Sequence, residues 1–219
     1  MKRPLLIIFL VLLIDQVVKI YVKTHFVLGE EHRFTSWFII HFTENNGMAY
    51  GMQFSGQYGK IFLSIFRIAA VAAIGWYLRD LVIKKAHVGL ITSISLIFAG
   101  ALGNIIDSAF YGMIFSDSTY DLAHLFPPGG GYASFLHGKV VDMLYFPLIE
   151  GHFPTWVPIW GSEEFIFFRP VFNCSDSAIT IGVLLILLFQ RKYYPRKEEN
   201  QTIDSASNSD KSGESPQNI

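Results

Sequence analysis

The stretch at residues 88–107, VGLITSISLIFAGALGNIID, runs from Val88 to Ile106 without a charged side chain and ends on Asp107. A helix needs about 20 largely apolar residues to cross a hydrocarbon core about 30 Å thick, so this segment is long enough to span a membrane. Four of its polar or small positions near the C-terminal end share one face. Gly100, Gly103, Asn104 and Asp107 fall at offsets of three, four and seven, which is one face of a helix. The segment therefore reads as a transmembrane helix with one polar, close-packing side near its C-terminal end.

Three further stretches match it in length and character: Pro4–Val22, Ile61–Leu78 and Phe172–Phe189. The whole chain agrees, with 219 residues, 51% hydrophobic and only 16% charged side chains, a net charge of −1 and a mean hydropathy of +0.36, too apolar for an ordinary soluble domain. The predicted organisation is a four-span domain over residues 1–189, with spans near 4–22, 61–78, 88–106 and 172–189 and long loops at 23–60 and 107–171. The first span has a rival reading as a cleavable signal peptide, because Lys2 and Arg3 precede its apolar run. Asp15, Gln16 and Lys19 follow with no small-residue cleavage pattern, which favours retention. Residues 190–219 change to Ser, Asn, Glu and Asp and are expected to form a disordered tail.

Basic residues mark alternate ends of the spans: Lys2 and Arg3, then Arg79, Lys84 and Lys85, then Arg191, Lys192, Arg196 and Lys197. By the positive-inside rule both termini are expected in the cytoplasm and both long loops outside it, where their Trp, Tyr and Phe suit a membrane interface. A single cysteine, Cys174, excludes an intramolecular disulfide and reads as a buried apolar filler. The seven histidines show no HExxH or comparable spacing, so no metal site is expected.

Ionisable groups inside spans are costly and normally face a partner or a wet cavity. With this orientation Asp15, Lys19, Asn104 and Asp107 lie toward the outer ends of outward-running helices. Arg67, Asn173 and Asp176 lie near the outer starts of inward-running ones. All four helices thus contribute polar groups at one depth, and Val140-Val141-Asp142 in the outer loop adds another carboxylate. Asp15 and Lys19, four apart, account for each other as a pair, so loss of Asp15 is expected to strand Lys19. The remaining carboxylates exceed the cations. Crowded carboxylates share protons, the chemistry of aspartic peptidases, yet such groups also serve ion binding or a proton-coupled small transporter, so charge counting alone leaves both readings open.

Five blocks decide between them: Leu13-Ile14-Asp15-Gln16 with Lys19; Asn45-Asn46-Gly47-Met48-Ala49-Tyr50-Gly51; Gly100-Ala101-Leu102-Gly103-Asn104-Ile105-Ile106-Asp107; Val140-Val141-Asp142; and Phe172-Asn173-Cys174-Ser175-Asp176. In this order and on four spans they resemble the signal peptidase II family, the bacterial lipoprotein signal peptidases. The resemblance implies a mainly α membrane protein of four transmembrane helices with a small extracytoplasmic β-rich cradle. It implies an aspartic endopeptidase of the bacterial inner membrane, acting toward the outer face on diacylglyceryl-modified prolipoproteins just before the lipidated cysteine. Asp142 and Asp176 would be the catalytic dyad. Asp15, Lys19, Asn45, Gly47, Gly100, Asn104, Asp107 and Asn173 would bind substrate or support the site. No metal or organic cofactor is required. The expected partners are lipidated precursors and membrane lipids, not nucleic acid, with the chain a monomer.

Two departures stand out. The family usually carries an arginine directly after the aspartate of the Gly-Asn-x-x-Asp block, where this chain has Ser108. The links at 113–139 and 147–170 are also longer than usual, the first holding Pro127-Pro128-Gly129-Gly130-Gly131 and the second Phe153, Trp156, Trp160, Phe165, Phe167 and Phe168. Both read as insertions that leave the dyad in place, either touching membrane or substrate or forming a local packed cap.

Overall fold

The structure, a computed structural model, describes residues 2–46, 56–147, 149–152, 164–167 and 170–194. In chain order these form α1 (Lys2–His25), β1 (Glu31–Arg33), β2 (Ile39–Asn45), α2 (Gly56–Ile83), α3 (Val88–Ile106), a π-helical turn (Asp107–Tyr111), α4 (Gly112–Ile114), β3 (Val140–Tyr145), β4 (Ile149–His152), β5 (Glu164–Phe167), β6 (Val171–Phe172) and α5 (Cys174–Tyr193). Among the described residues, four helical stretches are long and apolar enough to cross a membrane: Lys2–His25, Phe62–Ile83, Val88–Ile114 and Cys174–Tyr193. They overrun the apolar runs because an arginine or lysine at a helix end can stay helical while its head group reaches water, as Arg79 does on α2 and Arg191 and Lys192 do on α5. Gly47 and the tail beyond residue 194 lie outside the described residues, as do most of residues 148–169.

The segment 88–107 earns its central position. α3 packs against α1, α2 and α5, most extensively α5. Without a hydrophobic drive between helices in lipid, close backbone approach between small residues supplies the contact. A Cβ at Gly100 would strike the Ser175 carbonyl, and one at Gly182 would come within 2.6 Å of the Ser93 carbonyl. The outer faces of the bundle carry exposed Leu5, Phe9, Phe62, Phe66, Leu184 and Leu188, as lipid-facing surfaces should.

Above one end of the bundle sits an antiparallel sheet in the order β1-β2-β3-β6, and β4 pairs with β5 separately. Thr43 faces Asp142 across the β2–β3 ladder and Asn45 faces Val140, with a register shift between Ile40 and Thr43. Because side chains alternate along a strand, Phe42, Val141 and Met143 point the other way. They join Val22, Tyr111, Phe115 and Ala123 in a buried cluster. Phe172 stacks on Phe146 (5.7 Å), Phe146 on Phe38 (5.1 Å) and Phe38 on Phe34 (5.6 Å), so the loop aromatics form a continuous ladder along the sheet.

The segment 113–139 folds back on itself and on the sheet. It is closed by the Phe115–Leu125 bridge, by Tyr132 N donating to Phe115 O at 3.1 Å and by Leu28 N donating to Ser118 O at 3.0 Å. Its glycine-rich turn uses Gly130 at φ +85°, a conformation other residues rarely adopt. The segment surrounds Lys23, which is fully buried and lies over the rings of Phe42, Phe115 and Tyr132.

Candidate active site

Asp176 and Asn173 owe their positions to the way α5 begins. Asn173 is its N-cap: Asn173 Oδ1 accepts Asp176 N at 2.9 Å, and Asp176 Oδ2 accepts Asn173 N at 3.3 Å. This reciprocal capping box explains Asn-x-x-Asp as helix-starting chemistry, whatever else it does. It also leaves both amide hydrogens of Asn173 for other partners.

Those hydrogens reach across the site. Asn173 Nδ2 donates to Asp142 Oδ1 at 2.7 Å and to Asn104 Oδ1 at 3.2 Å, while Asn104 Nδ2 donates to Asp176 Oδ1 at 2.8 Å. Lys19 Nζ donates to Asn104 Oδ1 at 2.9 Å, which fixes the orientation of that amide. Two asparagines thus tie the carboxylate of β3 to the carboxylate of α5. Asn45, on β2, also hydrogen-bonds to Asp142. Asp142 is buried, and burial first, then the negative charge of Asp176, pushes its carboxyl from the usual range up to about 7; hydrogen bonds from Asn173 and Asn45 and the charge of Lys19 oppose the shift. Asp176 is partly exposed and, with Phe172, Ser177, Thr180 and Ile181, lines a groove of about 370 Å³. Arg67, from α2, exerts an attractive charge on Asp176.

Beneath lies a second, fully buried cluster. Lys19 Nζ is 2.9 Å from Asp15 Oδ2 and 2.8 Å from Asp107 Oδ2. Lys19 therefore bridges two carboxylates instead of belonging to Asp15 alone, which the spacing of four could not reveal. Gln16 Nε2 donates to Asp15 Oδ2 at 3.1 Å and to Asp107 Oδ1 at 3.0 Å, and its carbonyl accepts Tyr111 Oη at 3.1 Å. Each carboxylate also holds backbone: Asp15 Oδ1 accepts Ser175 N at 2.8 Å, and Asp107 Oδ2 accepts Val141 N at 3.4 Å. One residue after each contact comes Asp176 and Asp142 respectively. Asp107 ends α3, its N–H still bonded to Gly103 O as in an α-helix, and the π-helical turn begins at it.

Sequence reasoning overlooked Gln16, Tyr111 and a third charged group. Lys23 continues the Asp15, Lys19 face by one more turn, a visible signal. Its Nζ pairs with Glu44 Oε1 and donates to Ser118 Oγ at 2.7 Å, while Lys139 Nζ is 2.9 Å from Glu44 Oε2. Glu44 faces away from Asn45, into the core, and the two lysines neutralise it there. Ser108, in place of the usual arginine, is buried and donates to Asn104 O at 3.0 Å. Cys174, the first residue of α5, is half-buried, a correction to the expectation of a buried filler.

Gly103 and Gly100 keep α3 close to this assembly. A Cβ on Gly103 would collide with Ser175 Oγ and lie 2.8 Å from Asp15 Oδ2. Gly103→Ala is expected to lower thermal stability in detergent by about 1–3 kcal/mol, the usual cost of overpacking, as read from melting curves. An unchanged melting temperature would mean that α3 and α5 are less closely fixed than described.

Residues 7–191 match the profile of the family described as Signal peptidase (SPase) II. A lipoprotein signal peptidase from Porphyromonas gingivalis is 54% identical over 191 residues, covering 87% of this chain and 81% of the relative. One from Amoebophilus asiaticus is 40% identical over 186 residues, covering 83% and 75%. A solved bacterial membrane enzyme, determined by the in meso method at 2.3 Å, superposes with a TM-score of 0.58 at 27% identity over 92% of this chain and 96% of the other. A matching profile over most of the length, a relative of more than half identity and a shared fold together establish that this chain belongs to the signal peptidase II family.

Proposed function

We propose that this chain is an aspartic endopeptidase that removes the signal peptide from diacylglyceryl-modified prolipoproteins, cutting just before the lipidated cysteine, with Asp142 and Asp176 as its dyad. The observation that carries this reading is the asparagine bridge: two carboxylates from separate elements are joined through Asn173 and Asn104, one buried and one lining an open groove. A membrane-embedded precursor would bring its scissile bond to the groove while its acyl chains stay in lipid, and holding the bond there supplies much of the rate by proximity. Asp142, whose carboxyl keeps its proton to about pH 7, polarises the scissile carbonyl. Asp176 takes the proton from the attacking water. Arg67, Asn104 and the first turn of α5 lie around Asp176. The buried Asp15–Lys19–Asp107 cluster and the Lys23–Glu44–Lys139 network hold the strands and helices that carry the dyad.

The test is cleavage of a lipidated precursor by the purified chain, beside the same precursor without its lipid and across pH. The expected result is processing of the lipidated form, with a rate that falls as pH rises through about 7. The sign follows from the raised carboxyl of Asp142: its protonated form is needed, is present below about pH 7, and is lost above it. A rate that climbs through pH 7 would reverse the assignment of acid and base, and equal cleavage of the unlipidated form would refute the substrate class.

We further propose that both termini face the cytoplasm of a bacterial inner membrane, with the dyad near the outer surface and the chain acting as a monomer. The distribution of Lys2, Arg3, Arg79, Lys84, Lys85, Arg191 and Lys192 at one end of the bundle supports this orientation. Cysteines introduced at 84–86 should then react with an impermeant reagent only from the cytoplasmic side, and cysteines at 120–135 only from outside. Labelling of both sets from one side would overturn the topology.

A further inference from the structure

At the end of the bundle far from the carboxylates, α1 and α2 each pack on α3 but barely on each other. The gap is a pair of grooves. One, of about 450 Å³, is lined by Leu5, Ile8, Gly75 and Phe98 and edged by Arg79. The other, of about 400 Å³, is lined by Ile7, Ile91 and Thr92 and edged by Lys2 and Arg3. Pro4 and Val82 border both, so the two apolar grooves adjoin. Gly75 keeps the first groove wide: a Cβ there would come within 2.9 Å of the Phe98 ring that forms its floor.

Lys2, Arg3 and Arg79 are exposed, and among the described residues none of them forms an ion pair. The nearest carboxylate in sequence, Asp80, is occupied by Lys84 at 2.8 Å. Three cations therefore edge two adjoining apolar grooves. We propose that this is a binding site for one anionic two-chain glycerophospholipid, with an acyl chain in each groove and the phosphate between Arg79 on one side and Lys2 and Arg3 on the other. The charge of the rim selects an anionic head group, since each lysine or arginine near such a surface contributes attraction. A lipid seated here would bridge α1 and α2, which the protein itself leaves apart, and so would stabilise the bundle.

The test uses the purified, delipidated full chain in a neutral detergent, titrated separately with dioleoyl phosphatidylglycerol, dioleoyl phosphatidylcholine and inorganic phosphate. Native mass spectrometry reads stoichiometry, and thermal melting reads stabilisation. The expected result is one phosphatidylglycerol retained per chain with a rise in melting temperature, and neither effect from phosphatidylcholine or phosphate. Arg79→Gln should weaken phosphatidylglycerol binding by about fivefold or more, and Arg79→Lys should keep most of it. Because Lys2 and Arg3 also bear on insertion, their replacement by Gln is read only for protein whose circular dichroism matches the parent. It should weaken binding further. Equal retention of both lipids would reduce the grooves to ordinary lipid contact and overturn the proposal. So would a melting shift from phosphate alone, or unchanged affinity in Arg79→Gln.

Discussion

Asp142→Asn and Asp176→Asn are each expected to lower cleavage of a lipidated precursor by about a hundredfold to ten-thousandfold, the range of a lost general acid or base, while the protein still inserts and accumulates. The two should separate in stability. In Asp142→Asn the new side-chain carbonyl could still accept from Asn173 Nδ2, which meets Asp142 Oδ1 at 2.7 Å in the parent chain. Because burial disfavours the Asp142 charge, removing it should leave stability unchanged or raised, the more so above pH 7, where the aspartate would have to ionise in a buried place. Asp176 accepts from Asn104 Nδ2 on one oxygen and from Asn173 N on the other, and an amide offers only one acceptor. Asp176→Asn should therefore cost about 1–3 kcal/mol, the penalty for a donor left unmet. Melting curves with turnover on the same samples check both. Full turnover by either folded variant would remove that residue from the dyad.

Much of this was legible in the sequence because a membrane writes its constraint in length and polarity. Four apolar runs gave four helices, and the offsets of Gly100, Gly103, Asn104 and Asp107 gave the face of α3 that meets α5. The gathering of Asp15, Lys19, Asn104, Asp107, Asn173 and Asp176 followed from helix direction alone. Pairing did not. Which carboxylate a lysine serves depends on how neighbouring helices pack, and the approach of Asp107 on α3 to Lys19 on α1 has no signature in apolar periodicity. The segment 113–139 was equally opaque, since its order comes from Lys23 and Glu44, distant in sequence and joined only once β2 is laid beside β3.

The largest stability effect should come from Lys19, and the structure changes what its variants are expected to do. Lys19→Met leaves Asp15 and Asp107 both buried without their cation, at an expected cost of about 3–5 kcal/mol. The spacing of Asp15 and Lys19 suggests that Asp15→Asn with Lys19→Met would restore balance by removing both charges. With Asp107 2.8 Å from the same ammonium, that double variant still strands one carboxylate and should remain close to Lys19→Met. Only the addition of Asp107→Asn, which clears every charge from the cluster, should recover part of the loss. Asp15→Asn alone keeps the Lys19–Asp107 pair and should be the mildest of the four, costing chiefly the mismatch of an amide hydrogen turned toward Lys19 or Gln16. In Asp15→Asn cleavage should fall only with the folded fraction, whereas every variant that lacks Lys19 also frees the Asn104 amide beside Asp176 and should lose more. If the double variant melts with the parent protein, Asp107 does not depend on Lys19, and the cluster is two separate interactions; if Asp15→Asn is fully stable yet inactive, Asp15 takes part in the chemistry or in holding the substrate.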